Sequence, residues 1–348
     1  MKFSFVSLRL KSLYVYVFII LIFQLIIRYP YIIENYYSNL VYNNVSYLVI
    51  LFFNKFQFSF GDLLYIFIPI VIFFKLKKTN TRRKNINICL QFLFGVYIFF
   101  NIQWGLNYHR IPLQEKLTIT KNYSLNQLKK TTLYFINKTN KIHKKISEND
   151  SISVKFDNDL ILESLLSIKN SSYNKNQKLN RTIKKSLFSL PLSYMGFSGY
   201  INPFTIEAHF NTNIAKLNIP TTICHEIAHQ LGYSAENEAN YISIEATLNS
   251  KNEYVNYSGS TFALKHLLNE MYLNDKKAFD ELIKKVNVGV LKNYKEASDE
   301  WKKYKNPLEK YFKKSYDIYL KANNQTKGIK TYNLVVDLLV NKYPNQES

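Results

Sequence analysis

The sequence predicts a mainly α protein in two parts: three N-terminal transmembrane helices over residues 1–104, then a mostly helical domain with a small extended element over residues 105–348. Three observations predict this. Apolar runs crowd the first hundred residues, helical spacing of apolar side chains returns after residue 120, and glycines and prolines gather between Ser189 and Asn211.

The first run, "LYVYVFIILIFQLII" from Leu13 to Ile27, carries no charge and is flanked by Lys11 and Arg28. With snorkelling ends it predicts a spanning helix over about residues 12–30. The bulky "RYPYIIENYY" that follows offers no small-residue cleavage site, so the run is expected to stay as an anchor. "VSYLVILFF" (Val45 to Phe53) is too short to span and is expected to be interfacial or re-entrant. "FGDLLYIFIPIVIFFKL" predicts a second helix over 60–76, with Pro69 tolerated inside it. From Asn85 to Tyr108 there is no charged residue, which predicts a third helix over 86–106, with Trp104 and Tyr108 in an interfacial aromatic belt. Lys2, Arg9 and Lys11 form one basic cluster and "KLKKTNTRRK" (Lys75 to Lys84) another, whereas only Arg28 and Lys55 lie between the first two helices. Excess positive charge stays in the cytoplasm, so a three-pass topology puts the second domain outside the cytoplasmic membrane.

The net charge of +21, from 46 Lys and Arg against 25 Asp and Glu, points to an anionic partner. The lysines are spread along the chain and no nucleic-acid-binding motif accompanies them, so no nucleic acid is expected; the lipid bilayer is. Two cysteines, Cys89 in an apolar run and Cys224 beside a histidine, exclude a disulfide framework.

In the second domain, Ser124 caps a helix with Leu125, Leu128, Phe135 and Ile142 on one face. A short helix is expected over Asn158–Asn170 and a loop over "NSSYNKNQKLNR". "SLPLSYMGFSGYINPFTIEAHFN" (Ser189 to Asn211) reads as turns and extended backbone, with "FTIEAHF" a strand and "NPFTIEAHFN" an edge to pair with extended substrate. Helical spacing then returns in "TFALKHLLNEMYL", "KKAFDELIKKV", "NPLEKYFKKSYDIYLKA" and "TYNLVVDLLVNKY".

"TTICHEIAHQLGYSAENEAN" (Thr221 to Asn240) carries the chemistry. Pro220 suits a helix start that makes Thr221 or Thr222 the first position, and Gly232 suits its stop. His225 and His229, four apart, stack on one face and can share one zinc ion, with Glu226 beside them to take a proton from a bound water. Ile227, Ala228 and Leu231 surround them with apolar surface. A catalytic zinc needs a third protein ligand and an open position. Ser234 can cap a second helix carrying Glu236, the favoured ligand, and Glu238, the alternative, which points about 200° away; Glu245 is a remote third. Asn240, one turn from Glu236, is expected to support the ligands from behind. Tyr332 is a candidate donor to a tetrahedral oxyanion. Cys224 lies on another helical face, so it is no fourth ligand, and His209 is read as a surface residue rather than a ligand.

"HEIAHQLGYSAENEAN" resembles the H-E-x-x-H plus E-x-x-x-D/N arrangement of gluzincin metallopeptidases, in which the first Glu of the second motif is the third zinc ligand. The six residues between His229 and Glu236 make a shorter link than many relatives have, and Ala235 where a third histidine would fall excludes metzincins. With "FSFGDLLY", "WGLNYHRIPL", "MGFSGYINPFTIEA" and "YLKANNQTKGIKTYN", nearly the whole chain is similar to a bacterial family of unknown function: three transmembrane helices, then an extracytoplasmic zinc-peptidase domain. The resemblance implies a zincin-like α+β fold, Zn²⁺ as cofactor, a peptide or protein substrate and residence in the bacterial cytoplasmic membrane. It implies no particular substrate. The alternative is a non-catalytic binding or signalling protein that retains a zinc site.

Overall fold

The structure is a computed structural model that describes residues 3–79, 81–119, 122–156, 160–174 and 181–343, and helices carry most of them. The chain divides into two compact units. One takes residues Met1–Lys55, Phe60–Ile111 and Asn202–Ile206; the other takes Phe56–Ser59, Pro112–Ile201 and Glu207–Ser348.

In the first unit, α1 (Phe3–Ile26) is followed by α2 (Asn43–Phe53), α3 (Phe60–Lys77) and α4 (Arg82–Gln103). Their outward side chains are apolar: Phe18, Leu21, Phe67 and Leu93 are more than half exposed. That is the surface expected of helices that face lipid tails instead of water. α4, with 22 residues, is long and apolar enough to cross a membrane. Among the described residues, the three expected spans reduce to this one, or to two. The segments Tyr14–Ile26 and Pro30–Phe53 meet at a 97° bend and together make at most one broken or re-entrant span. α3 brings Asp62, Lys75 and Lys77 into its 18 residues, too many charges for an apolar span of that length. Trp104 and Tyr108 do not form an exposed belt either. Both are buried and pack edge to face, with centroids 5.0 Å apart, because the turn after α4 folds back on itself. Asn107 in that turn accepts from Ser38 Oγ at 2.8 Å, and Arg110 donates through Nε and Nη2 to the two oxygens of Glu34, each at 2.8 Å. A buried bidentate pair of this kind would be costly to break by removing one partner, roughly 3–5 kcal/mol.

The second unit is a helical stack with a small sheet on one flank. α5 (Leu125–Ile146) starts at Ser124 with a reciprocal capping box to Gln127, as the sequence predicts for a Ser cap. α6 (Ile161–Lys169) falls within the expected 158–170 helix, and half of the expected loop after it, residues 175–180, lies outside the described residues. β1 (Ile183–Lys185), α7 (Ser189–Met195), β2 (Gly199–Ile201) and β3 (Ala208–Phe210) follow. The sheet order is β1-β3-β2, with β3 parallel to β1 and antiparallel to β2. The residues expected to form an edge strand therefore sit in the middle of the sheet, and the two edges belong to β1 and β2. His209 on β3 is not a surface residue: it is fully buried, stacked on Tyr200, with Nε2 2.7 Å from Ser59 Oγ.

Then come α8 (Ile219–Gln230), α9 (Glu236–Leu248), α10 (Glu253–Asn274), α11 (Lys276–Leu282), α12 (Val288–Lys302), α13 (Glu309–Ala322) and α14 (Val335–Lys342). α10 packs along α5 and α9, and α8 lies between α9, α6 and the sheet. Ile223, Ile227 and Ala228 of α8 are wholly buried in a core shared with Ile242, Ile244, Leu264 and Leu267. Each such aliphatic side chain contributes roughly 1.5–3 kcal/mol by leaving water. The core fixes the roll of α8 about its axis, and so the direction in which its histidines point.

Candidate metal centre

α8 starts two residues earlier than the sequence predicts, at Ile219, with Pro220 in its first turn instead of ahead of it. It ends where Gly232 takes φ +87°, with Gly232 N–H bonded to His229 O and Tyr233 N–H to Ala228 O. That left-handed residue turns the chain back so that α9 crosses α8. Ser234 does not cap α9. The first orphan N–H, that of Glu236, is taken by Gln325 Oε1 at 3.1 Å, from 89 residues along the chain.

The turn carries Glu236 to the two histidines. Its Oε2 stands 3.2 Å from His225 Nε2 and 3.4 Å from His229 Nε2, and the three ligand atoms lie within 4.8 Å of one another. Bonds of about 2.0–2.1 Å to a tetrahedral ion would hold ligand atoms about 3.3 Å apart. Tautomer geometry supports the same use. His229 Nδ1 is 2.8 Å from the Tyr233 carbonyl, which only accepts, so the ring proton is on Nδ1 and the Nε2 lone pair faces Glu236. Two imidazole lone pairs and a carboxylate oxygen meeting in a buried space call for a cation among them. Burial lowers the proton affinity of His225. Burial also works against a proton on His229, but the Glu236 carboxylate outweighs it and lifts His229 to about 9. Burial would raise Glu236, yet His229 and both histidine hydrogen bonds hold it well below the usual carboxylate range. With no cation between them, a second proton on His229 Nε2 holds that place against Glu236, and a bound cation would displace it and use the lone pair. His225, His229 and Glu236 together make a buried group able to hold a metal ion.

The other candidate carboxylates are engaged elsewhere. Glu238 Oε1 accepts from Leu113 N–H at 2.6 Å, and Glu245 pairs with Lys342 and accepts from Tyr343 Oη at 2.8 Å. Glu226 is buried, its Oε2 has no hydrogen-bond partner, and burial raises it to about 8. It lies against β2: a Cβ on Gly199 would stand 2.6 Å from Glu226 Oε1 and 2.7 Å from the His209 carbonyl. Only glycine lets the strand come this close.

Asn240 donates Nδ2 to the Tyr332 carbonyl at 3.2 Å. The Tyr332 ring lies parallel to His225, within 8° at a centroid distance of 6.2 Å, and burial keeps its phenol protonated. Three participants escape a reading of the sequence. Tyr316 on α13 donates to Glu236 Oε1 at 2.7 Å and stands 3.4 Å from Tyr332 Oη. Gln325 caps α9, and Gly199 makes room for Glu226. Nothing in the spacing marks Tyr316 among 28 tyrosines.

Residues 37–340 match the model of the family described as "Protein of unknown function (DUF3810)". The chain belongs to this family. No curated protein and no solved structure matches it.

Proposed function

We propose that this DUF3810 protein is a zinc-dependent metallopeptidase, anchored in the bacterial cytoplasmic membrane with its second unit outside the cytoplasm. The observation that carries the reading is the pairing of two features on α8. The His225–His229–Glu236 group is oriented for a cation, and one residue along is Glu226, a buried carboxylate with a vacant oxygen. A site that only held a structural ion would close with a fourth protein ligand and would have no use for Glu226. Zinc is the favoured ion because two imidazoles and one carboxylate are its usual catalytic set.

His225, His229 and Glu236 would hold the ion, which when bound supplies Lewis acidity to a water and to a carbonyl oxygen. Glu226, with a proton affinity near neutrality, would take a proton from an attacking water and pass it to the leaving amine. Tyr332, kept protonated by burial, donates to the developing oxyanion. Among the described residues β2 is one edge of the sheet, and an extended peptide can add alongside it, beside Gly199 and Glu226. For topology, the basic stretch Lys75–Lys84 runs from the last turn of α3 into the first turn of α4 and by the positive-inside rule stays in the cytoplasm, so the residues after Gln103 emerge outside.

The test is elemental analysis of the purified full chain with hydrolysis of a peptide library. Stoichiometric zinc and cleavage are expected of the wild type, and Glu226→Gln should keep the zinc and lose cleavage. Absence of bound metal from protein never exposed to chelator would overturn the metal reading. Bound zinc with no cleavage would favour the binding or signalling alternative.

A further inference from the structure

α13 (Glu309–Ala322) is held to the protein by one side only. Tyr316 donates to Glu236 and Leu320 is wholly buried, both on that side. At about 100° per residue, Leu308, Tyr311, Ser315, Ile318 and Ala322 fall on one stripe of the opposite side. Leu308, Tyr311 and Ile318 are each nearly 60% exposed. Lys310 and Lys314 run along one margin of this stripe, both exposed and neither in an ion pair among the described residues. Residues 301–330 hold nine lysines against two carboxylates, Glu309 and Asp317, and those two already pair with Lys313 and Lys321. α7, packed against α13, carries the exposed Leu190, and Leu187 just before it is exposed as well. A peptide helix with an apolar stripe, a lysine margin and tyrosines between them has the composition of an interfacial helix.

We propose that the outer face of α13 docks on the anionic headgroup surface of the bilayer. Two observations select lipid over an acidic protein. The exposed apolar side chains lie in one stripe along a helix with lysines at its margin, suited to the boundary between headgroups and acyl chains. The chain also carries a helix able to span a membrane, so the bilayer is present at high effective concentration through a covalent tether. Lys310 and Lys314 supply the charge complementarity, and their methylene stems lie along the apolar stripe while the ammonium groups reach phosphate. The inner side of the same helix bears Tyr316, so docking steadies the residue that orients Glu236. The docking itself does not depend on the metal chemistry.

The experiment uses the full chain with Cys89→Ser, reconstituted into vesicles of phosphatidylcholine alone or with phosphatidylglycerol. Cys224 is fully buried and takes no label. An environment-sensitive fluorophore is attached at Tyr311→Cys or Ile318→Cys, and at Leu273→Cys, an exposed control on α10. The expected result is quenching by doxyl lipids at 311 and 318, but not at 273, in phosphatidylglycerol vesicles. It should fall when salt rises from about 0.1 M to about 1 M and the screening length drops from about 10 Å to about 3 Å. A lysine near an anionic surface is worth about fivefold in the docked-to-free ratio, so Lys310→Glu with Lys314→Glu should lower it by about 25-fold or more. Equal access of 311, 318 and 273 to aqueous acrylamide in both vesicles would overturn the proposal. So would shielding of 311 and 318 already complete in detergent, which would mean contact between proteins. Zinc content, assayed in the same samples, reports separately on the metal reading.

Discussion

Tyr316 grips Glu236 by Oε1 and leaves Oε2 aimed at the histidines, so it selects which oxygen meets the ion. Such outer partners set the orientation and basicity of a ligand, and their loss typically costs 10–100-fold in metal affinity. Tyr316→Phe should therefore weaken zinc binding about tenfold or more in a competitive chelator titration, with the fold unchanged; unaltered affinity would leave Tyr316 a packing residue. The site can be seen in the sequence only as far as it is local. His225, Glu226 and His229 sit in one helical turn and Glu236 follows after one glycine, whereas Tyr316 and Gln325 arrive from 80 and 89 residues away, and no periodicity records that. Nearby, His266 is half-buried with Nδ1 3.2 Å from Asn333 Oδ1, and burial lowers it to about 4. Its folded value lies below the unfolded value of about 6.5, so the unfolded chain takes up the proton first. His266 thus costs no stability above about pH 6.5 and loses up to about 3 kcal/mol as pH falls from there toward 4. In the presence of chelator, His266→Gln should flatten that part of the stability curve relative to wild type; parallel curves would contradict the assignment.

At the scale of elements, α8, its glycine stop and the α9 crossing follow from Pro220, from apolar positions around the histidines and from Gly232 at φ +87°. The small sheet does not, because three-residue strands hold too few alternations to declare their neighbours. "FTIEAHF" reads as a strand, and Ala208–Phe210 is one, yet its central place depends on Ile183–Lys185 and Gly199–Ile201 arriving on either side. The position of β2 is what gives Glu226 its setting. Gly199→Ala sets a methyl against Glu226 Oε1 and the His209 carbonyl at 2.6 and 2.7 Å, so either the strand or the carboxylate must retreat. All three proposed ligands lie on α8 and α9, away from that clash. The variant should therefore retain stoichiometric zinc while kcat drops by an order of magnitude or more, about 10²-fold for a displacement near 1 Å. Loss of zinc together with activity would show that β2 supports the ligands as well as the base.

Across the whole molecule the two units answer to different forces. The first exposes Phe18, Leu21 and Leu93 and buries Glu34 against Arg110; the second has a water-excluding core and a polar group converging on one point. The apolar runs made the helices of the first unit legible, but hydropathy alone overcounted spans because it cannot register the 97° bend after α1 or weigh Asp62, Lys75 and Lys77 against the length of α3. All of the ligands belong to the second unit, so metal binding should stabilise that unit alone. The chain offers a reporter for each: Trp104 is buried in the first unit and Trp301 ends α12 in the second. An ion that binds only the folded form adds about 2.7 kcal/mol when free metal is 100 times Kd, and this is lost on chelation. In detergent, chelator should lower the melting transition seen by Trp301 and leave that of Trp104 in Trp301→Phe where it was. Glu236→Ala should melt at the chelated temperature with or without zinc, because its two remaining imidazoles cannot hold the ion against a competitor. If the Trp104 transition moved equally with zinc, the two units would unfold as one.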